Sequence, residues 1–244
     1  MSRRPAARRT TTHHRLESLA RSIVVYAGTM TAVRPHLPGF QGSLFDQGSD
    51  IGPGPLDGVR RTELGDGAWV DHLPGWFHGA DALFEELVTG VPWQAEERTM
   101  YDNVVAVPRL LASYREGAPL PHPALTEARE ALDAHYADEL GEPFVTAGLC
   151  LYRDGRDSVA WHGDRTGRSS TQDTMVAILA LGDPRDLAFR PRGGGPVALR
   201  LPSGHGDLLV MGGSCQRTWE HAVPKTSRAV GPRISVQFRP RGVR

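Results

Sequence analysis

His162-Gly163-Asp164 sets an imidazole and a carboxylate two residues apart, and His221 follows 57 residues after Asp164. Two imidazoles and one carboxylate suit a non-haem Fe(II) centre that keeps coordination positions open for other ligands. Further on comes Arg233-Ile234-Ser235-Val236-Gln237-Phe238-Arg239. An arginine there suits an acidic co-substrate, because its planar fork grips a carboxylate with two charge-assisted hydrogen bonds.

The short motif is weak alone. With 10 His and 16 Asp in 244 residues, roughly 0.7 His-x-Asp triplets arise by chance. The chain holds a second, His205-Gly206-Asp207. That one runs straight into the apolar stretch Leu208-Leu209-Val210-Met211, as a polar turn before a buried strand would. It also stands only 14 residues before His221, little room for the strands that should separate two ligand-bearing edges of a sandwich. The first triplet is therefore taken as the ligand pair and the second as a structural turn.

These residues need a scaffold, and the chain can build one. Its length allows a sizeable single core, and 39% hydrophobic residues with a mean hydropathy of -0.35 fit a globular protein. No apolar run approaches the roughly 20 residues needed to cross a bilayer, and no signal-peptide core follows the basic start. The cytosol is therefore the expected compartment, and two cysteines, Cys150 and Cys215, in no metal-spaced cluster agree with it; a monomer is the expected state. Formal net charge is zero but unevenly spread: residues 145–244 carry 15 Lys+Arg against 8 Asp+Glu, and residues 1–29 carry 6 Arg against one Glu. Such asymmetry permits a polyanionic partner.

Residues 1–37 read as a basic, disordered extension, rich in Arg, Thr and Pro, and 38–244 as one domain. Ala80, Leu83, Phe84, Leu87 and Val88 recur at helical spacing, and a second helix is expected after Pro123, with Leu125, Ala128, Leu132 and Tyr136 on one face. From Phe144 the texture turns to short apolar strands: 145–152, 175–181, 187–190, 197–201, 207–211 and 234–239. Helices first and strands afterwards predict an α+β layout, a β-sandwich braced by N-terminal helices, with lid and bracing helices over about 69–143 and the strand core over 144–241.

Seven pieces then stand in a fixed order: Val107-Pro108-Arg109-Leu110 with Tyr114; Leu151-Tyr152-Arg153-Asp154-Gly155 with Asp157-Ser158; Trp161-His162-Gly163-Asp164; Leu181-Gly182-Asp183-Pro184-Arg185; His205 to Met211; Trp219 to Lys225; and Pro232 to Arg239. In this order they resemble the AlkB family of Fe(II)/2-oxoglutarate dioxygenases, over roughly residues 69–241. The resemblance implies a double-stranded β-helix (a jelly roll) and the cofactors Fe(II), 2-oxoglutarate and O2. It also implies oxidative dealkylation of N-alkylated bases in DNA or RNA, of the DNA-repair type, with formaldehyde as the by-product.

Residue by residue, the resemblance assigns iron to His162, Asp164 and His221, and the co-substrate to Tyr152, Arg233 and Arg239, with Ser235 in the same pocket. Many members carry Asn where this chain has Cys150 and Ser235. Many repair members carry further acids after the metal aspartate, where Arg165-Thr166 stands here. A base inside a duplex cannot reach such a centre, so the substrate is expected as a single strand or a flipped base. His162 would form one stacking wall, with Tyr101, Tyr114 or Trp93 opposite. Arg109 and Thr166 are further substrate candidates, and Arg109, Arg165, Arg168, Arg192 and Arg217 could meet phosphates. The alternative is an AlkB-like oxygenase acting on a protein, lipid or small molecule.

Overall fold

The computed structural model describes residues 30–32, 50–100 and 103–243. In chain order its elements are β1 (Met30–Ala32), β2 (Gly52–Pro53), β3 (Arg60–Gly65), β4 (Ala68–Leu73), β5 (Phe77–His78), α1 (Ala80–Gly90), β6 (Gln94–Met100) and β7 (Asn103–Tyr114). Then follow α2 (Pro123–His135), α3 (Ala137–Leu140), β8 (Phe144–Tyr152), β9 (Val159–His162), β10 (Val176–Gly182), β11 (Arg185–Pro191) and β12 (Leu199–Ser203). Last come β13 (Leu208–Gly213), α4 (Cys215–Thr218), β14 (Trp219–Val223) and β15 (Arg233–Pro240).

Alternation along the strands decides how these pack. On β15 the apolar Ile234, Val236 and Phe238 are fully buried and alternate with Arg233, Ser235, Gln237 and Arg239. Successive strand side chains point to opposite faces, so one strand offers an oily face and a polar face. The oily face joins Leu149 and Leu151 of β8, Leu179 and Leu181 of β10, and Leu208 and Val210 of β13 in one cluster with Leu83, Phe84 and Leu87 of α1 and Leu125, Ala128 and Leu132 of α2. The helices thus cover the back of the sheet. Each fully buried leucine there contributes roughly 1.5–3 kcal/mol. Pro123 opens α2, where a missing N–H costs nothing, and the His122 ring accepts the Ala124 amide at 3.1 Å to cap it.

The sheet so covered has nine strands in the order β1-β6-β7-β8-β15-β10-β13-β4-β3, and the facing sheet has four, β12-β11-β14-β9. A second cluster lies between them: Val176 and Ile178, Leu209 and Met211, Leu187 and Phe189, Trp219 and Val223, with Cys150 and Tyr152. This is the jelly roll braced by helices. It is richer in strand than the sequence pattern predicts over 69–143: that stretch holds most of β4 and all of β5, β6 and the twelve-residue β7 beside the two expected helices. Two short strands near the site, β9 and β14, also escaped the pattern. Within the stretch expected to be disordered, Met30–Ala32 pairs with β6 as Met30↔Glu96; the rest of 1–37 falls outside the described residues. No described helix is long and apolar enough to cross a membrane.

Candidate metal and co-substrate site

His162 ends β9 and His221 lies on β14; the two strands pair antiparallel with His162 directly opposite His221. Their rings come within 4.3 Å, centre to centre. Asp164 follows two residues on, in the loop leaving β9. That loop runs so close to α4 that a Cβ on Gly163 would sit 2.5 Å from the Gln216 carbonyl oxygen, so the middle residue of the triplet must be glycine in this packing. Gln216 pins the loop in turn: its Oε1 accepts the Asp164 amide at 2.8 Å.

The ligand atoms of His162, Asp164 and His221 all lie within 4.8 Å of one another. The His162 Nδ1 donates to main-chain carbonyls of Ala160 at 2.9 Å and His221 at 3.1 Å. A carbonyl can only accept, so Nδ1 carries a proton, and Nε2 is the nitrogen turned toward the cluster, 3.6 Å from Asp164 Oδ1. Arg239 Nε donates to the other oxygen, Oδ2, at 2.8 Å, which leaves Oδ1 for a cation. Burial works against charge on Asp164, yet the charge and hydrogen bond of Arg239, joined at low pH by the His221 and His162 rings once they are protonated, outweigh it and hold the carboxyl well below its usual range. Burial, with His162 beside it, pushes the His221 imidazole down to about 3, so it is neutral at pH 7 with a lone pair to offer. One carboxylate and two imidazoles are a donor set that fits a divalent iron.

On the facing sheet, Arg233 stands directly across from Tyr152. Arg233 is 2% exposed. Its Nη2 donates to Ser203 Oγ at 3.0 Å, and its guanidinium lies 5.4 Å from the centre of the Tyr152 ring. Its Nε and Nη1 are buried with no hydrogen-bond partner. Burial lowers its pKa, and Tyr152 is pushed up to about 12 by burial and by Cys150, against the pull of nearby arginines. Two orphaned cationic donors beside a neutral phenol fit the carboxylate of a dicarboxylic acid. A cavity of about 340 Å³ connects this end to the metal-ligand cluster, lined among others by Arg109, Tyr152, Asp164, Ser235, Gln237 and Arg239.

The remaining candidates divide. Thr166 is exposed and lines the cavity. Arg109 faces the same cavity from β7 and donates to the Ser158 carbonyl at 3.1 Å; it is an interior group rather than a surface phosphate contact. Tyr114 packs against the core cluster behind the large sheet and is not among the cavity-lining residues, because its position on β7 puts it on the helix-covered face. Trp93 is buried in that same cluster. Tyr101 falls outside the described residues. Arg168 pairs with Glu142 and Arg217 with Asp173. The second triplet is a turn: Asp207 accepts the amides of Gly75 and Gly204, both at 2.8 Å, and His205 Nδ1 accepts the Gly182 amide at 2.7 Å. Gln216, Ser203 and Gln237 were missed. Gln237 was legible, as a polar residue at an inward position of β15.

This fold and site define a class. The profile of the 2OG-Fe(II) oxygenase superfamily matches residues 78–239, and the chain belongs to that superfamily. AlkB homologues are among its relatives. It is 32% identical over 179 residues to the alpha-ketoglutarate-dependent dioxygenase alkB homolog 3 of Bos taurus, covering 66% of this chain and 61% of the relative. It is 30% identical to the Homo sapiens protein of that name over the same shares. It is 27% identical to the DNA oxidative demethylase ALKBH2 of Homo sapiens, over 66% of this chain and 68% of the relative. The chain thus spans about 61% of the length of the alkB homolog 3 proteins. A solved structure titled "The structure of OsALKBH1" superposes with a TM-score of 0.51 at 14% identity, over 74% of this chain and 100% of that one, which supports the fold.

Proposed function

We propose that this protein is an Fe(II)- and 2-oxoglutarate-dependent dioxygenase that removes N-alkyl groups from bases in nucleic acid, acting as a cytosolic monomer on a single strand or a flipped base. The observation that carries the co-substrate is Arg233, buried with two unpartnered nitrogens in the cavity that the His162, Asp164 and His221 cluster shares. The nucleic-acid substrate is inferred from the relatives, among them a DNA oxidative demethylase.

Bound iron with 2-oxoglutarate and O2 would supply the oxidising power, an oxygen atom for the N-alkyl carbon, with succinate and CO2 as the co-products. The protein's part is placement. His162, Asp164 and His221 would hold the metal. Arg233 and the Tyr152 hydroxyl would fix the far carboxylate of the co-substrate. Arg239 keeps Asp164 ionised and aimed, as partners of metal ligands do. The walls of Val176, Ile178, Leu187 and Met211 keep water from the reacting carbon. Once hydroxylated, a methyl group leaves the base nitrogen as formaldehyde.

A second reading, an AlkB-like oxygenase of a non-nucleic substrate, is favoured by one observation: among the described residues that line the cavity Asp164 is the only carboxylate, and the exposed Thr166 is one of them. The test is turnover on single-stranded oligonucleotides carrying 1-methyladenine or 3-methylcytosine, read as formaldehyde and succinate. Succinate production coupled to formaldehyde supports the dealkylase. Tight 2-oxoglutarate binding with no oligonucleotide turnover transfers the case to the second reading.

A further inference from the structure

Gln237 sits midway along the polar face of β15, between the arginine that would clamp the co-substrate and the arginine that holds the metal aspartate. Its Oε1 accepts Arg239 Nη2 at 2.8 Å. Its Nε2 donates to Ser235 Oγ at 2.9 Å and to Cys150 Sγ at 3.4 Å. The orientation of this amide is determined by chemistry. A guanidinium has no acceptor, so the amide oxygen must face Arg239, and the nitrogen is thereby turned toward Ser235 and Cys150.

Two consequences follow. Arg239 uses Nε on Asp164 and Nη2 on Gln237, so its plane is held at both ends. Ser235 Oγ, already accepting from Gln237, is left to donate its own proton, and Ser235 lines the cavity. The strand opposite is shaped for this. Gly148 pairs with Gln237 across β8 and β15, and a Cβ on Gly148 would lie 3.1 Å from Arg239 Nη1 and 3.6 Å from Gln237 Oε1. A bare glycine there makes room for the amide and the guanidinium together.

We propose that Gln237 is a positioning residue that couples the two halves of the site: it orients Arg239 on Asp164 and sets Ser235 as a donor toward the co-substrate carboxylate. The co-substrate half of this role rests on the function proposed above. One glutamine side chain then serves both neighbours whose own side chains, Cys150 and Ser235, carry no amide.

The test uses the full chain under anaerobic conditions. Mn(II) alone is titrated first, and 2-oxoglutarate is then titrated into the Mn(II)-loaded protein. Gln237→Ala is expected to weaken both affinities by about 10-fold, the lower end of the losses seen for direct partners of a metal ligand, because Gln237 acts through Arg239. Gln237→Glu keeps an acceptor for Arg239 but has no N–H for Ser235. It should hold Mn(II) close to the wild-type affinity and lose 2-oxoglutarate, a split that general loosening of the core would not produce. Gly148→Ala presses on the same pair from the other strand and removes no polar group. It should lower both affinities with an unchanged melting temperature, and it carries the test if Gln237→Ala does not fold. Wild-type affinities for both probes in Gln237→Ala, or in Gly148→Ala, would overturn the role. A wild-type protein that binds Mn(II) but not 2-oxoglutarate would instead sink the proposed function and the co-substrate half of this role, with the metal arm still reading the Arg239 half.

Discussion

Replacing Arg233 by Lys tests the site at its most exposed assumption. The wild-type guanidinium is anchored by one hydrogen bond to Ser203 and turns two buried, unpartnered nitrogens to the cavity. An ammonium keeps the charge but not the planar fork, so at least one charge-assisted hydrogen bond to a carboxylate is lost. Such a bond contributes about 1.5–3 kcal/mol, and at about 1.4 kcal/mol per decade the affinity for 2-oxoglutarate should fall about 10- to 150-fold. Metal binding should persist, because Arg233 touches none of the three metal-binding side chains. A pH dependence should appear as well. Burial lowers the pKa of Arg233, and the same burial would lower that of an ammonium starting from roughly 10.4. The variant should therefore lose further affinity as pH rises, as its charge is lost, over a range where wild type is flat. The assay is anaerobic titration of 2-oxoglutarate into Mn(II)-loaded protein across pH. Unchanged affinity in Arg233→Lys, with metal binding intact, would refute the assignment of the clamp.

Leu132 is fully buried under the large sheet, so Leu132→Ala should cost about 2–5 kcal/mol and lower the melting temperature by about 4–20 °C without changing metal affinity per folded molecule; an unchanged melt would show that the helix layer is not bracing the sheet. Burial raises the Asp207 pKa, but the His72 contact and the amides of Gly75 and Gly204 outweigh it and lower it overall. It therefore stabilises the fold above the unfolded value of about 3.9 and loses that contribution as pH falls through the lower folded value. The stability gap between wild type and Asp207→Asn should close on acidification, and a gap independent of pH would count against the turn's energetics. Deleting residues 1–29, which precede β1, should leave melting and 2-oxoglutarate affinity unchanged while reducing salt-sensitive oligonucleotide binding; a large loss of stability would contradict this. Thr166 gives the cavity mouth a neutral hydroxyl, so wild type should discriminate weakly between 1-methyladenine and 3-methylcytosine strands and Thr166→Asp more strongly, since a carboxylate accepts more strongly from an exocyclic amine; strong wild-type selectivity would reverse that expectation.

How much of this could be read beforehand depended on how local the signal was. The first triplet stands out because two candidate ligands sit two residues apart and the second triplet runs into an apolar strand, and the structure brings His162 and Asp164 together with His221. Helices α1 and α2 were legible from spacing and from Pro123. Strand β7 was not, and Pro108 is the reason: a proline inside an apolar run argues against a central strand. The structure absorbs it at an irregularity, where pairing of β6 with β7 shifts between Ala95↔Leu110 and Glu97↔Ala106. There the Pro108 carbonyl accepts the Ser158 amide at 2.9 Å instead. Strand β4 was hidden by Asp71, which reads as a turn residue yet is 2% exposed. Its carboxylate is satisfied by Arg61 at 2.8 Å and by the Tyr136 hydroxyl at 3.0 Å, partners 10 and 65 residues away. No local pattern announces them. Tyr114 was misread for the complementary reason: residue type and motif position suggested an aromatic wall, but the strand's register turns it to the helix-covered face.

The site and the fold are hard to separate in this protein. Strand β15 contributes Ile234, Val236 and Phe238 to the layer under the helices and Arg233, Ser235, Gln237 and Arg239 to the cavity. A slip of one residue against β8 or β10 would exchange the two faces. It would bury two guanidiniums against α1 and α2, where isolated charge is very costly, and it would put Phe238 against Asp164. The register that hides the apolar face is therefore the register that aims both arginines. Pairing of Arg233 with Tyr152 and of Gln237 with Gly148 places the clamp and the metal support on one strand, six residues apart. At roughly 3.3 Å per residue, that spacing sets them about 20 Å apart along the backbone. Long side chains converging from the two ends can span much of that distance. A two-sided strand thus explains why arginine, serine and glutamine occupy buried and half-buried places between the sheets: their hydrogen bonds run to one another and to the cavity, while the oily face alone supplies the packing.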